Sequence, residues 1–158
     1  MEKLIQLDEK VIQLHVKAAN REEVMTRLYE KLKKYNYVKD TFLASILERE
    51  RIFPTGLPLA SMGVAIPHTD PEHVVTPMIA VAVLEHPVEF IVMGSTDTPV
   101  NVEIVLMLAI SEPTKQLVML ERLMGVFQNE AAMSQLKNAA SAKELLSVLD
   151  REINQISV

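Results

Sequence analysis

The chain has 158 residues, 49% of them hydrophobic and 23% charged, which suits one globular domain with a full core. A net charge of −5 without any basic run argues against a nucleic-acid partner, because neutralising phosphates takes clustered Lys and Arg. Cysteine is absent, so disulfides and Cys-based zinc sites are excluded and any covalent chemistry needs another nucleophile.

The opening stretch MEKLIQLDEK mixes acidic residues with short apolar pieces and does not read as a signal peptide. No apolar run reaches the ~20 residues of a spanning helix. The expectation is a cytoplasmic protein whose residues 1–158 form a single domain.

Leu4 to Val16 has room for one or two short strands. Val11, Ile12, Leu14 and Val16 come close to alternation, which leaves Gln13 and His15 on the opposite, solvent-side face. Asn20 then opens a helix as its N-cap, with Glu23 completing a capping box. Val24, Leu28, Leu32 and Tyr35 recur at helical spacing, and Lys31, Lys33 and Lys34 suit the negative end of the helix dipole. Asp40 is the expected cap of a second helix with Phe42, Leu43, Ile46 and Leu47 on its apolar face. That helix ends in the charged run Glu48-Arg49-Glu50-Arg51, and the turn Phe53-Pro54-Thr55-Gly56 follows.

The segment Gly63 to Pro71 reads as a short apolar strand that stops and presents one histidine. Val64 and Ile66 suit a buried pleated surface. Pro67 removes a ladder donor and holds Ile66 extended, and Pro71 closes the segment three residues past His68. An imidazole fixed between two prolines is well aimed. Arg49 is expected near it, since the second helix ends only a few residues before this strand.

Met78 to Leu84 and Ile104 to Ile110 are uninterrupted apolar runs, the pattern of strands covered on both faces, with a shorter strand between them near Val88 to Met93 and a loop at Gly94 to Pro99. Ser111 and Pro113 fit the start of a helix carrying Leu117, Leu120, Met124 and Phe127, with Met119, Leu123 and Val126 widening the stripe. Gln116 falls in its first turn, at the C-terminal end of the preceding strand, where open α/β sheets bind ligands. Two more helices follow, near Glu130 to Lys137 and from Ser141 to about Ile153, the latter with a Ser141/Glu144 capping box. The fold class expected is α/β: a single-domain sandwich with a mixed, largely parallel central sheet and helices on both faces.

The chemistry is limited by what is missing. There is no G-x-S-x-G elbow and neither nucleotide-binding glycine motif. His68, Asp70 and His73 offer three metal ligands from one loop, though Pro71 lies among them and no helical i, i+4 pair is present. The other option is His68 as the nucleophile. Neutral imidazole, with an ordinary pKa near ~6.5, has a free lone pair that can take up a phosphoryl group and hand it on. Phosphoryl transfer then asks for positioning and charge balance, which Arg49, Thr55 and Gln116 are placed to supply.

The segments Leu47-Glu48-Arg49-Glu50, Phe53-Pro54-Thr55-Gly56 and Ala65-Ile66-Pro67-His68 resemble the signature of the fructose/mannitol-type enzyme IIA domains of the bacterial phosphoenolpyruvate-dependent sugar phosphotransferase system (PTS). The resemblance runs from about Leu4 to the last helix. Glu50 to Leu57 and Gln116 to Gly125 make it closest to the galactitol-specific branch. It implies a mixed sheet flanked by helices and a phosphotransferase without cofactor or metal. His68 would take phosphate from the phosphohistidine of HPr and pass it to a cysteine of enzyme IIB, with only indirect association with the membrane enzyme IIC. Arg49 would balance the phosphate charge. Gln116 stands where many members of the family have a second histidine, and it can donate a hydrogen bond but carries no charge. Two other readings remain open: a regulatory module controlled by His68 phosphorylation, and a metal-dependent enzyme using His68, Asp70 and His73. Leu57, Leu59 and Met62 either form an apolar docking patch around His68 or pack inward.

Overall fold

The two uninterrupted apolar runs lie at the centre of one sheet. The computed structural model describes residues 4–154, and among these are five strands and five α-helices. In chain order they are β1 (Ile12–Val16), α1 (Arg21–Lys34), α2 (Phe42–Ile52), β2 (Gly56–Pro58), β3 (Gly63–Ala65), β4 (Met78–Ile91), β5 (Pro99–Ala109), α3 (Pro113–Phe127), α4 (Glu130–Lys137) and α5 (Ala142–Asn154). The strand order is β1-β4-β5-β3-β2.

The sheet is mixed, as expected, but less parallel than the sequence suggested. β1 with β4 and β3 with β5 are parallel, whereas β4 with β5 and β2 with β3 are antiparallel. The reason is that Met78–Leu84 and Val88–Met93 are not two strands. They fuse into the long β4, interrupted only by a register shift between Val83 and Val88, and β4 turns back on β5 as a hairpin across the 92–98 loop. Its exposed residues Glu85 to Pro87 mark the irregularity and hide the continuity from a sequence pattern.

Side chains of β4 alternate between two cores. Ile79, Val81 and Val83 join Ile104, Leu106 and Leu108 against α3, α4 and α5. Ala80, Ala82 and Leu84 join Val105 and Met107 against α1 and α2. Both faces of the central strands are therefore covered, which is why they read as continuous apolar runs.

Helix starts follow the sequence with two exceptions. Asn20 and Ser141 accept hydrogen bonds from Glu23 N–H and Glu144 N–H, as their capping-box spacing requires. Asp40, in contrast, pairs with Lys33 at 3.2 Å, and Thr41 occupies the cap of α2 without a side-chain hydrogen bond to the helix end. Glu112, not Ser111, precedes α3, and Pro113 takes the first helical position. Between Leu4 and Val16 a short 3₁₀ turn at Glu9–Val11 leads into the single strand β1, where His15 is exposed with a positive φ of 54°. No helix among the described residues is long and apolar enough to cross a membrane.

Candidate functional site

α2 is built of good helix formers and stops because Phe53, the residue before Pro54, is pushed out of helical backbone, to φ −124° and ψ 81°. The chain then turns through Thr55 into β2, which pairs antiparallel with β3. β3 needs glycine where it runs against β5: a Cβ on Gly63 would meet the Asn101 carbonyl oxygen at 2.2 Å. β3 ends as Pro67 withholds its donor. The Pro67 carbonyl accepts from Leu108 N–H at 2.9 Å, so His68 emerges beside the end of β5.

The His68 ring is half-buried and held by its own loop. Nδ1 lies 2.8 Å from the Ile66 carbonyl oxygen. A carbonyl only accepts, so Nδ1 carries the proton and Nε2 keeps the free lone pair. Burial pushes the His68 pKa below the usual imidazole value; the nearby Arg49 charge adds to this, and the Ile66 bond opposes it. The ring is thus neutral at physiological pH, with one nucleophilic nitrogen.

Three side chains of α2 grip the surroundings of His68. The Ser45 and Thr69 hydroxyls hydrogen-bond to each other, and Thr69 is buried. Arg49 donates from Nη1 to Asp70 at 3.3 Å, and its guanidinium lies 5.0 Å from the centre of the Phe53 ring. Glu50 reaches Thr55, whose oxygen accepts from Ile66 N–H at 3.2 Å. Ser45 and Arg49 are one helical turn apart and share a face.

The Arg49 charge acts on His68, and its guanidinium pairs with Asp70 two residues further along the same loop. Thr55 does not offer its hydroxyl outward. It is buried, and its single hydrogen goes to Glu50 at 2.8 Å, which removes it from the set of phosphate donors and places it behind the loop. Gln116 is half-buried in the first turn of α3, just past the C-terminal end of β5, the strand whose Leu108 pairs with His68. Its backbone N–H donates to Glu112.

The three-ligand metal loop does not form. Asp70 is engaged by Arg49, and His73 Nδ1 lies 2.7 Å from the Thr41 hydroxyl. Among the described residues no group of three His, Cys, Asp or Glu is arranged to hold a metal ion. Leu57, Leu59 and Met62 pack against the α3–α5 side of the core. The exposed large apolar side chains include Ile52 and Phe53, just after Arg49 in the chain, and Leu117 and Val118, just after Gln116.

The sequence reading passed over Glu50, naming it only as a member of the charged run that ends α2. The signal was available: Phe42, Ile46 and Glu50 recur every four residues, so Glu50 lies on the buried stripe of α2. It is 5% exposed, and burial pushes its pKa up to about 7 against the lowering pull of the two Thr55 bonds and Arg21. Ser45 and Thr69 carried no comparable signal, because their pairing depends on how the loop folds back over α2.

Comparisons with known proteins agree with this architecture. Residues 5–152 match the family described as phosphoenolpyruvate-dependent sugar phosphotransferase system, EIIA 2. The chain is 31% identical over 109 residues to the PTS system galactitol-specific EIIA component of Escherichia coli (strain K12), covering 69% of this chain and 72% of that protein. Its fold is similar to that of enzyme IIAMtl, solved in complex with phosphorylated enzyme IIBMtl from Escherichia coli, with a TM-score of 0.70 and 24% identity over 91% of this chain and 98% of that one. It is also similar to the nitrogen regulatory protein IIA-Ntr from Neisseria meningitidis, with a TM-score of 0.75 and 23% identity over 90% and 95% of the two chains. The family match spans nearly all of the described fold and includes every residue of the site, so the chain belongs to the EIIA 2 family of the phosphoenolpyruvate-dependent sugar phosphotransferase system.

Proposed function

We propose that residues 1–158 act as one enzyme IIA domain that relays a phosphoryl group through His68. The observation that carries this reading is the ring geometry: Nδ1–H is held by the Ile66 carbonyl, and Nε2 is left as the only lone pair to attack. In the forward step, Nε2 bonds to the phosphorus of the phosphohistidine of HPr as the donor's N–P bond breaks, and the donor imidazole leaves with that electron pair. In the second step, a cysteine thiolate of enzyme IIB attacks the same phosphorus and the N–P bond to His68 breaks. The Ile66 carbonyl stabilises the positive character that Nδ1–H acquires while phosphate is attached.

Arg49 supplies the cation that balances the phosphate dianion, and Gln116 adds one neutral donor from the first turn of α3. Thr55 is assigned a supporting place beneath the loop. Ile52, Phe53, Leu117 and Val118 form the apolar rim on which both protein partners dock, a small surface suited to brief encounters. The likeness to the galactitol-specific component favours galactitol or a related polyol as the transported molecule, with enzyme IIC contacting it at the membrane and this domain acting on the cytoplasmic side.

Incubation with labelled phosphoenolpyruvate, enzyme I and HPr is expected to give an acid-labile, base-stable phosphate on the chain, and His68→Ala to abolish it. Label that survives this substitution would place the chemistry on another residue.

A further inference from the structure

The buried acid Glu50 has no direct part in the proposed relay, yet its carboxylate is linked to the His68 ring through hydrogen bonds to Thr55 and to the backbone of Ile66 on both sides of its Cα. One carboxylate oxygen accepts from Thr55 N–H and the other from the Thr55 hydroxyl, each at 2.8 Å. The hydroxyl has a single hydrogen, so its oxygen is left to accept from Ile66 N–H at 3.2 Å. The carbonyl of the same Ile66 accepts from His68 Nδ1–H at 2.8 Å. The Ile66 N–H can only donate and its carbonyl can only accept, so the one link free to reverse is the Thr55 hydroxyl, and the Glu50 carboxylate sets its direction.

We propose that Glu50 is a positioning residue for His68: acting through Thr55 and Ile66, it holds the ring in the orientation that keeps Nδ1 protonated and Nε2 free. This rests on the reading of His68 as the phosphoryl acceptor. The carboxylate matters for its two acceptors. An amide in its place would turn an N–H toward one of the two Thr55 donors, and a protonated carboxyl would do the same with its O–H. In either case the Thr55 hydroxyl loses its acceptor and turns, its bond from Ile66 N–H is strained, and the strand end that carries His68 is held less firmly. An unneeded buried carboxyl is costly to keep, so its retention calls for a role. Arg21 and Glu22 of α1 and Glu48 and Arg51 of α2 line the cleft beside Glu50. The turn from Phe53 to Gly56 and strand β3, which complete its surroundings, bear no titratable side chain.

The test uses the full chain with ¹⁵N-labelled histidine, with His68 assigned by comparison with His68→Ala. Well above pH 7, where Glu50 is ionised, wild type is expected to show the Nδ1–H tautomer. Glu50→Gln is expected to show mixed tautomers and to take up phosphate from phospho-HPr roughly tenfold to a hundredfold more slowly, the scale of a misplaced reacting group. The wild-type rate is expected to carry an ionisation near pH 7, where Glu50 titrates, that the variant lacks. Thr55→Val should reproduce these changes, and Thr55→Ser should restore the tautomer that Thr55→Val loses. Should the variants not fold, ¹³C-labelled glutamate in wild type still reads the coupling: the Glu50 carboxyl and the His68 ring should share one inflection. A His68 ring that ignores the Glu50 titration, or a wild-type tautomer and pH profile in Glu50→Gln, overturns the proposal. Failure of wild type to take up phosphate overturns the relay instead, because the tautomer measurement stands without it.

Discussion

Arg49 Nη1 lies 3.3 Å from Asp70 Oδ1, so the guanidinium whose charge reaches His68 is already shared with a carboxylate two residues beyond the ring. The pair is partly exposed, and its own contribution to stability is small. Its consequence lies in the chemistry: a phosphate on His68 must compete with Asp70 for Arg49. Arg49→Ala is expected to slow phosphoryl uptake roughly tenfold to a hundredfold, the scale of a lost hydrogen bond to a charged group. Asp70→Asn should lengthen the lifetime of phospho-His68 by releasing the guanidinium to the phosphate. Stopped-flow transfer from phospho-HPr and the decay of isolated phosphoprotein measure the two effects, and equal behaviour of Asp70→Asn and wild type would remove the competition.

Gln116 offers a neutral donor, and its loss should cost less than that of Arg49. Gln116→Ala is expected to lower the uptake rate roughly threefold to tenfold, in line with one neutral hydrogen bond. The same kinetic assay checks it; a loss as large as that of Arg49→Ala would mean that Gln116 does more than stabilise charge.

Phe53 and Leu117 are 60% and 61% exposed, on either side of the site in sequence, one following Arg49 and the other following Gln116. Phe53→Ser and Leu117→Ser should each raise KM for phospho-HPr roughly fivefold to thirtyfold, as truncated interface anchors do, with kcat little changed. Unfolding free energies should stay within about 0.5 kcal/mol of wild type, since neither side chain is in a core. Unchanged KM in both variants would move the docking rim elsewhere.

Gly63→Ala tests the support of the site without touching its chemistry. The added methyl would meet the Asn101 backbone carbonyl of β5 at 2.2 Å, and backbone yields poorly. A loss of roughly 1–3 kcal/mol is expected from overpacking, read from urea unfolding. Because β3 carries the chain directly to His68, phosphoryl uptake at a temperature where the variant is still folded should also fall.

The half-buried His68 and the buried Glu50 give the stability curve opposing slopes. The His68 pKa is depressed in the folded state, so between that value and 6.5 the unfolded chain binds more protons and stability drops as pH falls. The Glu50 pKa is raised from 4.5 to about 7, so across that window the folded chain binds more protons and stability drops as pH rises. Urea midpoints measured from pH 4.5 to 8 should therefore show a weaker acid loss in His68→Gln and a weaker decline toward neutrality in Glu50→Gln. Curves parallel to wild type in both variants would mean that burial does not govern either group.

What the sequence determined by itself is whatever depends on local spacing. The helical recurrence of Val24, Leu28 and Leu32, the capping boxes at Asn20 and Ser141, the uninterrupted runs at Met78 and Ile104 and the two prolines around His68 all act within a turn or two of chain. They specified the helices, the central strands and the rigid histidine before any contact was known. What only the tertiary structure decided is the direction in which side chains spend their hydrogen bonds. Thr55 passed for a phosphate donor until Glu50 was found to hold its only hydrogen, and the fused β4 became visible only once its register against β5 was set. The physical reason is the same in both cases. A hydrogen bond or a strand pairing is a choice between partners, and the partner is fixed by the folding back of distant segments, which no periodicity along the chain records.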